Sequence, residues 1–141
     1  GIADDHLHAI DHQADSVVMN VLMGEASVLQ LGDLAECSYQ PLAETLSRIL
    51  PREQRHAELG QEGLLKLAAG GDAARTEISD SVDYWWPRVA ATFGGRTSAR
   101  ADMLRRFGLK RRSNEDLLSL WRARMNNIIG ETLRYVGGRS N

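Results

Sequence analysis

Cysteine, surplus charge and long apolar runs are all scarce in this chain, and each scarcity closes a route. One cysteine among 141 residues, Cys37, excludes an internal disulfide framework. It suits a reducing compartment, so a cytoplasmic location is expected. Seventeen basic side chains against nineteen acidic ones give no general pull toward nucleic acid or an anionic membrane, and neither is expected as a partner. The longest apolar run, residues 17–23, is interrupted by Asn20 and is too short to span a bilayer. No secretory signal is expected. The first residue is Gly1 rather than methionine, so a processed, tagged or incomplete piece of a longer protein is one expectation.

No segment reads as a strand, and the periodicity is that of an all-α chain. Residues 1–13 are polar and carry His6, His8 and His12; a flexible lead-in is expected there, followed by one helical domain over residues 14–141. A first helix is expected over 15–36, capped by Asp15 or Ser16, with Val18, Val21, Leu22, Val28, Leu29 and Gly32 inward. A second is expected over 41–69, because Pro41 fits a first turn and Gly70-Gly71 a stop. Pro51 within it predicts a bend or a break. A third helix over 72–92 contains Tyr84-Trp85-Trp86-Pro87, whose aromatic rings read as packing, and closes at Phe93-Gly94-Gly95. A short segment over 98–107 leads to the basic run Lys110-Arg111-Arg112. Ser113-Asn114-Glu115-Asp116 then starts a last helix that Gly137-Gly138 should end. The helices should form a bundle.

The second helix carries Glu53-Gln54-Arg55-His56 inside the stripe Leu42, Thr45, Leu46, Ile49, Ala57, Gly60 and Leu64. Residues three apart on a helix share a face, so Glu53 and His56 point together. An inward carboxylate and imidazole need a partner, and a cation is one. Glu-x-x-His facing the interior is how ferritin-like bundles hold a dinuclear iron or manganese centre. Glu25 interrupts the apolar stripe of the first helix, and antiparallel packing predicts it at similar depth. Glu25, Glu53 and His56 are therefore the candidate metal ligands, half of the usual set. The plain alternative is a surface Glu beside a satisfied His, with Glu25 at a helix edge. The missing half must come from a second copy of the chain, from another subunit, or from sequence absent here.

These features come with others in a fixed order. Ala14-Asp15, Ser38-Tyr39 before Pro41, Glu53-x-x-His56 with Gly60, Tyr84-Trp85-Trp86-Pro87 with Phe93-Gly94, and Lys110-Arg111 before Asn114-Glu115-Asp116-Leu117 follow one another from about Ala14 to Leu133. In this order the chain resembles the phenylacetic acid catabolism family, in particular the C-terminal half of its catalytic phenylacetyl-CoA epoxidase subunits. The resemblance implies a ferritin-like bundle, here half of the usual one plus C-terminal helices. It implies a subunit or fragment of a multicomponent di-iron monooxygenase acting on an aromatic acyl-CoA and fed by an external reductase. By the same resemblance Glu53 and His56 fall on the second Glu-x-x-His of the iron site. The family's further Asp falls on Gly24, with Glu25 next in line to replace it, and Asp33 is a candidate support for His56. Arg105, Arg106, Lys110 and Arg111 are the candidate cations for the acyl-CoA phosphates.

Two other functions compete. The resemblance also implies non-catalytic partner subunits that lack the full ligand set and act as scaffolds, and Gly24 together with the absent half fits that role. A homodimeric ferritin-like iron-binding protein would join two copies of Glu25 and Glu53-x-x-His56 across a two-fold axis. In every case the apolar faces of the first two helices predict a homo-oligomer or a partner subunit that completes the bundle.

Overall fold

The structure is a computed structural model describing the backbone of residues 2–94 and 104–139 and the side chains of residues 13–94 and 104–134. Its long helices are α1 (Ile2–Ala35), α2 (Gln40–Ala68), α3 (Asp72–Ala90) and α4 (Asn114–Arg139), with a 3-10 turn at Ala91–Phe93 after α3. No strand occurs among the described residues, and the fold is the expected all-α, ferritin-like bundle. The side chains of His6, His8 and His12, and most of the 98–107 segment, lie outside the described residues.

Helix α1 is the axis of the bundle. It packs most extensively along α2 and also touches α3 and α4. Ala14, Val18, Val21, Leu22 and Ala26 recur on it at three- and four-residue steps and are all buried. Leu64 and Ala68 of α2, Ile78, Val82 and Val89 of α3, Phe93, and Leu117, Trp121, Met125 and Ile128 of α4 complete the core. Trp121 sits at its centre. The indole N–H donates to the Leu22 carbonyl at 3.0 Å, and the ring lies 4.8 Å from Trp86 and 5.9 Å from Phe93 between centroids. Burying that N–H without an acceptor would cost about 1–3 kcal/mol, so the bond fixes how α4 crosses α1. The 23-residue stretch Gln13–Ala35 is, by length and composition, apolar enough to cross a membrane, with a mean hydropathy of 1.2. In the bundle its apolar stripe faces the shared core instead.

Several boundaries differ from the sequence reading. Helix α1 begins at Ile2, ahead of Asp15, so Asp15 does not cap it. Its carboxylate accepts the Ser81 hydroxyl at 2.5 Å and ties α1 to α3. Neither Pro51 nor Pro87 breaks its helix. Pro51 is exposed and Pro87 is exposed, so water can satisfy the carbonyl that each proline frees four residues earlier. Helix α4 starts as expected, with the Ser113 hydroxyl accepting the Asp116 amide at 3.0 Å. It runs on through Gly137 and Gly138 to Arg139.

Candidate functional site

Glu25 is one of the most deeply buried side chains, 1% exposed. Its carboxylate accepts a hydrogen bond from Gln61 Nε2 of α2 at 2.6 Å and an ion-paired one from Arg124 Nε of α4 at 2.5 Å. The Arg124 side chain is 53% exposed, so its guanidinium keeps contact with water while its Nε reaches inward. Together with Val28, Leu29, Gln54, Ala57 and Glu58 these three residues line a cleft of about 450 Å³. The partner that a buried carboxylate needs is thus supplied by the chain itself.

Glu53 and His56 sit elsewhere. Glu53 is half-buried and His56 is exposed. The buried positions of α2 are Ala57, Leu64 and Ala68, and none precedes Ala57. The core-facing stripe therefore runs Ala57, Gln61, Leu64, Ala68, rotated from the stripe through Glu53 and His56. The structure does not bring Glu25, Glu53 and His56 together: among the described residues no group of three or more His, Cys, Asp or Glu side chains is placed to hold a metal ion. The donor set among the described residues accordingly does not fit a dinuclear centre by itself. Position 24 explains part of this. A Cβ built on Gly24 would lie 4.0 Å from the Ala57 Cα of α2, whereas the Glu25 carboxylate meets Gln61 further along α2 and Arg124 of α4. One residue is about 100° around a helix, so Glu25 leaves α1 in a different direction from a side chain at position 24.

Gln61 and Arg124 escaped the sequence reading, although a signal for both exists. Arg124 falls in the series Leu117, Trp121, Arg124, Ile128, and Gln61 in Ala57, Gln61, Leu64, Ala68. Each is a polar residue on a buried face of an amphipathic helix, which marks a side chain with a partner inside.

The basic segment is built around Asp33, which is 2% exposed. Asp33 accepts the backbone amides of Arg111 at 3.2 Å and Arg112 at 2.9 Å, with Lys110 Nζ at 3.9 Å and Arg112 Nη1 at 3.7 Å. It anchors the segment before α4 to the end of α1 and gives His56 no support. Glu36 adds contacts to Arg111 at 3.6 Å and Arg112 at 3.5 Å. Leu104 closes this turn as a Schellman motif: Gly108 N–H donates to the Arg105 carbonyl at 3.1 Å and Leu109 N–H to Leu104 at 2.9 Å. Gly108 has φ +72°, and a Cβ there would also collide with the Ser38 side chain, so glycine is required. Arg105, Arg106, Gly108, Lys110 and Arg111 line an open cleft of about 540 Å³. The Lys110 pKa is lowered by burial; Asp33 opposes the shift and Arg105 adds to it. Of the aromatic run, Trp86 packs on Trp121, while Tyr84 is exposed under the Arg88 guanidinium, 3.6 Å from its ring centre.

The family described as phenylacetic acid catabolic protein matches residues 9–134, nearly the whole chain. One component of the 1,2-phenylacetyl-CoA epoxidase of Escherichia coli (strain K12) is 30% identical over 77 residues. That match covers 54% of this chain and 25% of the relative, so it spans a quarter of that relative's length. The chain belongs to the phenylacetic acid catabolic protein family.

Proposed function

We propose that this member of the phenylacetic acid catabolic family is a structural subunit of a multicomponent assembly that oxygenates an aromatic acyl-CoA. The observation that carries this reading is the Glu25–Arg124 pair, seconded by Gln61. A carboxylate already neutralised by a guanidinium is a poor ligand, because binding a metal would leave Arg124 unpaired beside a second cation. The likeness to one subunit of an epoxidase supports the substrate class and the expectation of partner subunits. The chain's own part is then to present helical faces to those partners.

The test is metal content and stability of the purified chain. After anaerobic reconstitution with Fe(II) or Mn(II) and desalting, only trace metal should remain, and a chelator should leave Tm unchanged. Retention of about one metal per chain, abolished by Glu53→Ala and by His56→Ala, would overturn the proposal.

One observation favours a second reading. Glu53 and His56 lie on or beside the stretch of α2 that has no buried residue. A partner subunit or second copy seated there would add donors of its own, and Glu53 and His56 would then contribute half of an iron or manganese site. This reading predicts that metal is retained only in the assembled complex. Equal metal content with and without His56 in that complex would remove it.

A further inference from the structure

Charge on the surface of the bundle is sorted by level along α1. Near the turn from α1 into α2, Lys110, Arg111 and Arg112 lie against two carboxylates, Asp33 and Glu36, and the exposed Arg106 adds a fourth cation. On α3 the balance is reversed. Glu77, Asp80 and Asp83 sit away from the stripe Ile78, Val82 and Val89 that faces the core, and Asp80 and Asp83 are exposed. Among the described residues, Asp72 of α3 is ion-paired with Arg75, and no ion pair reaches Glu77, Asp80 or Asp83.

The two regions stand far apart in one copy. Ser81, next to Asp80, bonds to Asp15, whereas the Arg111 and Arg112 amides bond to Asp33. The levels of Asp15 and Asp33 on α1 are about 27 Å apart at 1.5 Å per residue. Exposed charges are screened over about 8–10 Å, so these two regions do not neutralise each other within the chain. The basic region of one copy does match the acidic region of another.

Each region also offers exposed aromatic surface. At the basic end the Ser38 amide donates to the Gly108 carbonyl at 2.9 Å and its hydroxyl to the Phe107 carbonyl at 3.4 Å. Tyr39, 58% exposed, and Phe107, 70% exposed, flank that braced junction. Tyr84, 50% exposed, follows Asp83 and lies one turn beyond Asp80. Tyr, Phe and Arg are the side chains enriched in protein contacts, and a braced junction loses little freedom on docking.

We propose that this chain associates with copies of itself head to tail. The basic end of one copy, with Tyr39 and Phe107, docks on the α3 face of the next, at Glu77, Asp80, Asp83 and Tyr84. Such a contact is heterologous: every copy keeps one region of each kind, so copies add in a row or close into a ring. The contact is separate from the apolar part of α2 and does not rest on the metal-free structural role, which metal content tests on its own.

Sedimentation equilibrium of the full chain decides it. At about 20 mM salt the mean mass should climb with concentration past that of a dimer, and about 300 mM salt should weaken the association at least about tenfold. Arg106→Gln with Arg111→Gln should abolish it, and so should Asp80→Asn with Asp83→Asn. Both double variants should keep the parent Tm, because all four side chains are exposed. Each double variant retains one intact region, so an equimolar mixture of the two should form one-to-one pairs and stop there. Phe107→Ala should weaken the association about tenfold. A chain that stays monomeric to about 1 mM at the lower salt overturns the proposal. So does a mixture that grows beyond pairs, or association lost in one double variant and kept in the other. A dimer that neither salt nor either double variant weakens also overturns it, and assigns self-association to the apolar part of α2.

Discussion

Glu25 and Asp33 lie on the same helix, eight residues apart and similarly hidden from water, yet they are satisfied by different means. Glu25 takes its partners from side chains on two other helices. Asp33 takes its closest partners from the backbone of a segment 78 and 79 residues further along the chain, with two cations at longer range. The first arrangement joins α1, α2 and α4 through groups that mutation can replace one at a time. The second docks a loop through amides that any residue except proline supplies. A buried carboxylate in a member of this family is therefore no evidence of a metal until its partners are known. Here one such group is a clamp between helices and the other an anchor for a loop.

The comparison can be broken most severely at Arg124. Arg124→Met keeps the stem but leaves Glu25 buried without a cation, and should cost about 3 kcal/mol in urea unfolding. If the pair is the cause, adding Glu25→Leu should recover a large part of that loss, and a double-mutant cycle measures how much. Asp33→Ala comes next, at about 2 kcal/mol, because two charge-assisted amide bonds are exchanged for bonds to water. Its signature should be local: hydrogen exchange should quicken at residues 104–112 and remain slow at Trp121. Uniform quickening would show that Asp33 supports the whole bundle. Gln61→Leu should cost about 1 kcal/mol, since Arg124 still neutralises Glu25.

The smallest effect concerns pH. Lys110 titrates below its ordinary value of 10.5, first because of burial and also because of Arg105, with Asp33 opposing. Between the lowered folded value and 10.5 the unfolded chain holds more protons than the folded one, so stability from this group should rise with pH across that window. Lys110→Met should flatten the rise in a series of Tm measurements at alkaline pH. An equal rise in both proteins would assign it to other groups.

Much of this was legible before any coordinates. The ends of α2 follow from Pro41 and from Gly70-Gly71, and the start of α4 from Ser113, because these residues act on the backbone within one turn. Of the α4 residues at helical spacing, Leu117, Trp121, Met125 and Ile128 are buried, whereas Leu120 is exposed. The donor cluster was less legible. An apolar stripe on α2 extends through Leu42, Leu46 and Ile49, but only Ala57, Leu64 and Ala68 are buried. Periodicity shows that a face is apolar; it does not show which part of that face another element covers. Glu53 and His56 share one side of α2 from their spacing, and whether that side is inside depends on helices remote in sequence.

The sequence by itself determined the helical class, most of the breaks between helices and many residues of the core, since caps, turns and periodicity act over a few residues. Only the tertiary structure decided how the charges pair. Glu25 meets Arg124 across 99 residues of chain and Asp33 meets the Arg112 amide across 79, because their elements come together at those points. An ion pair depends on distances of a few ångströms between groups that no local rule connects, and packing alone sets those distances.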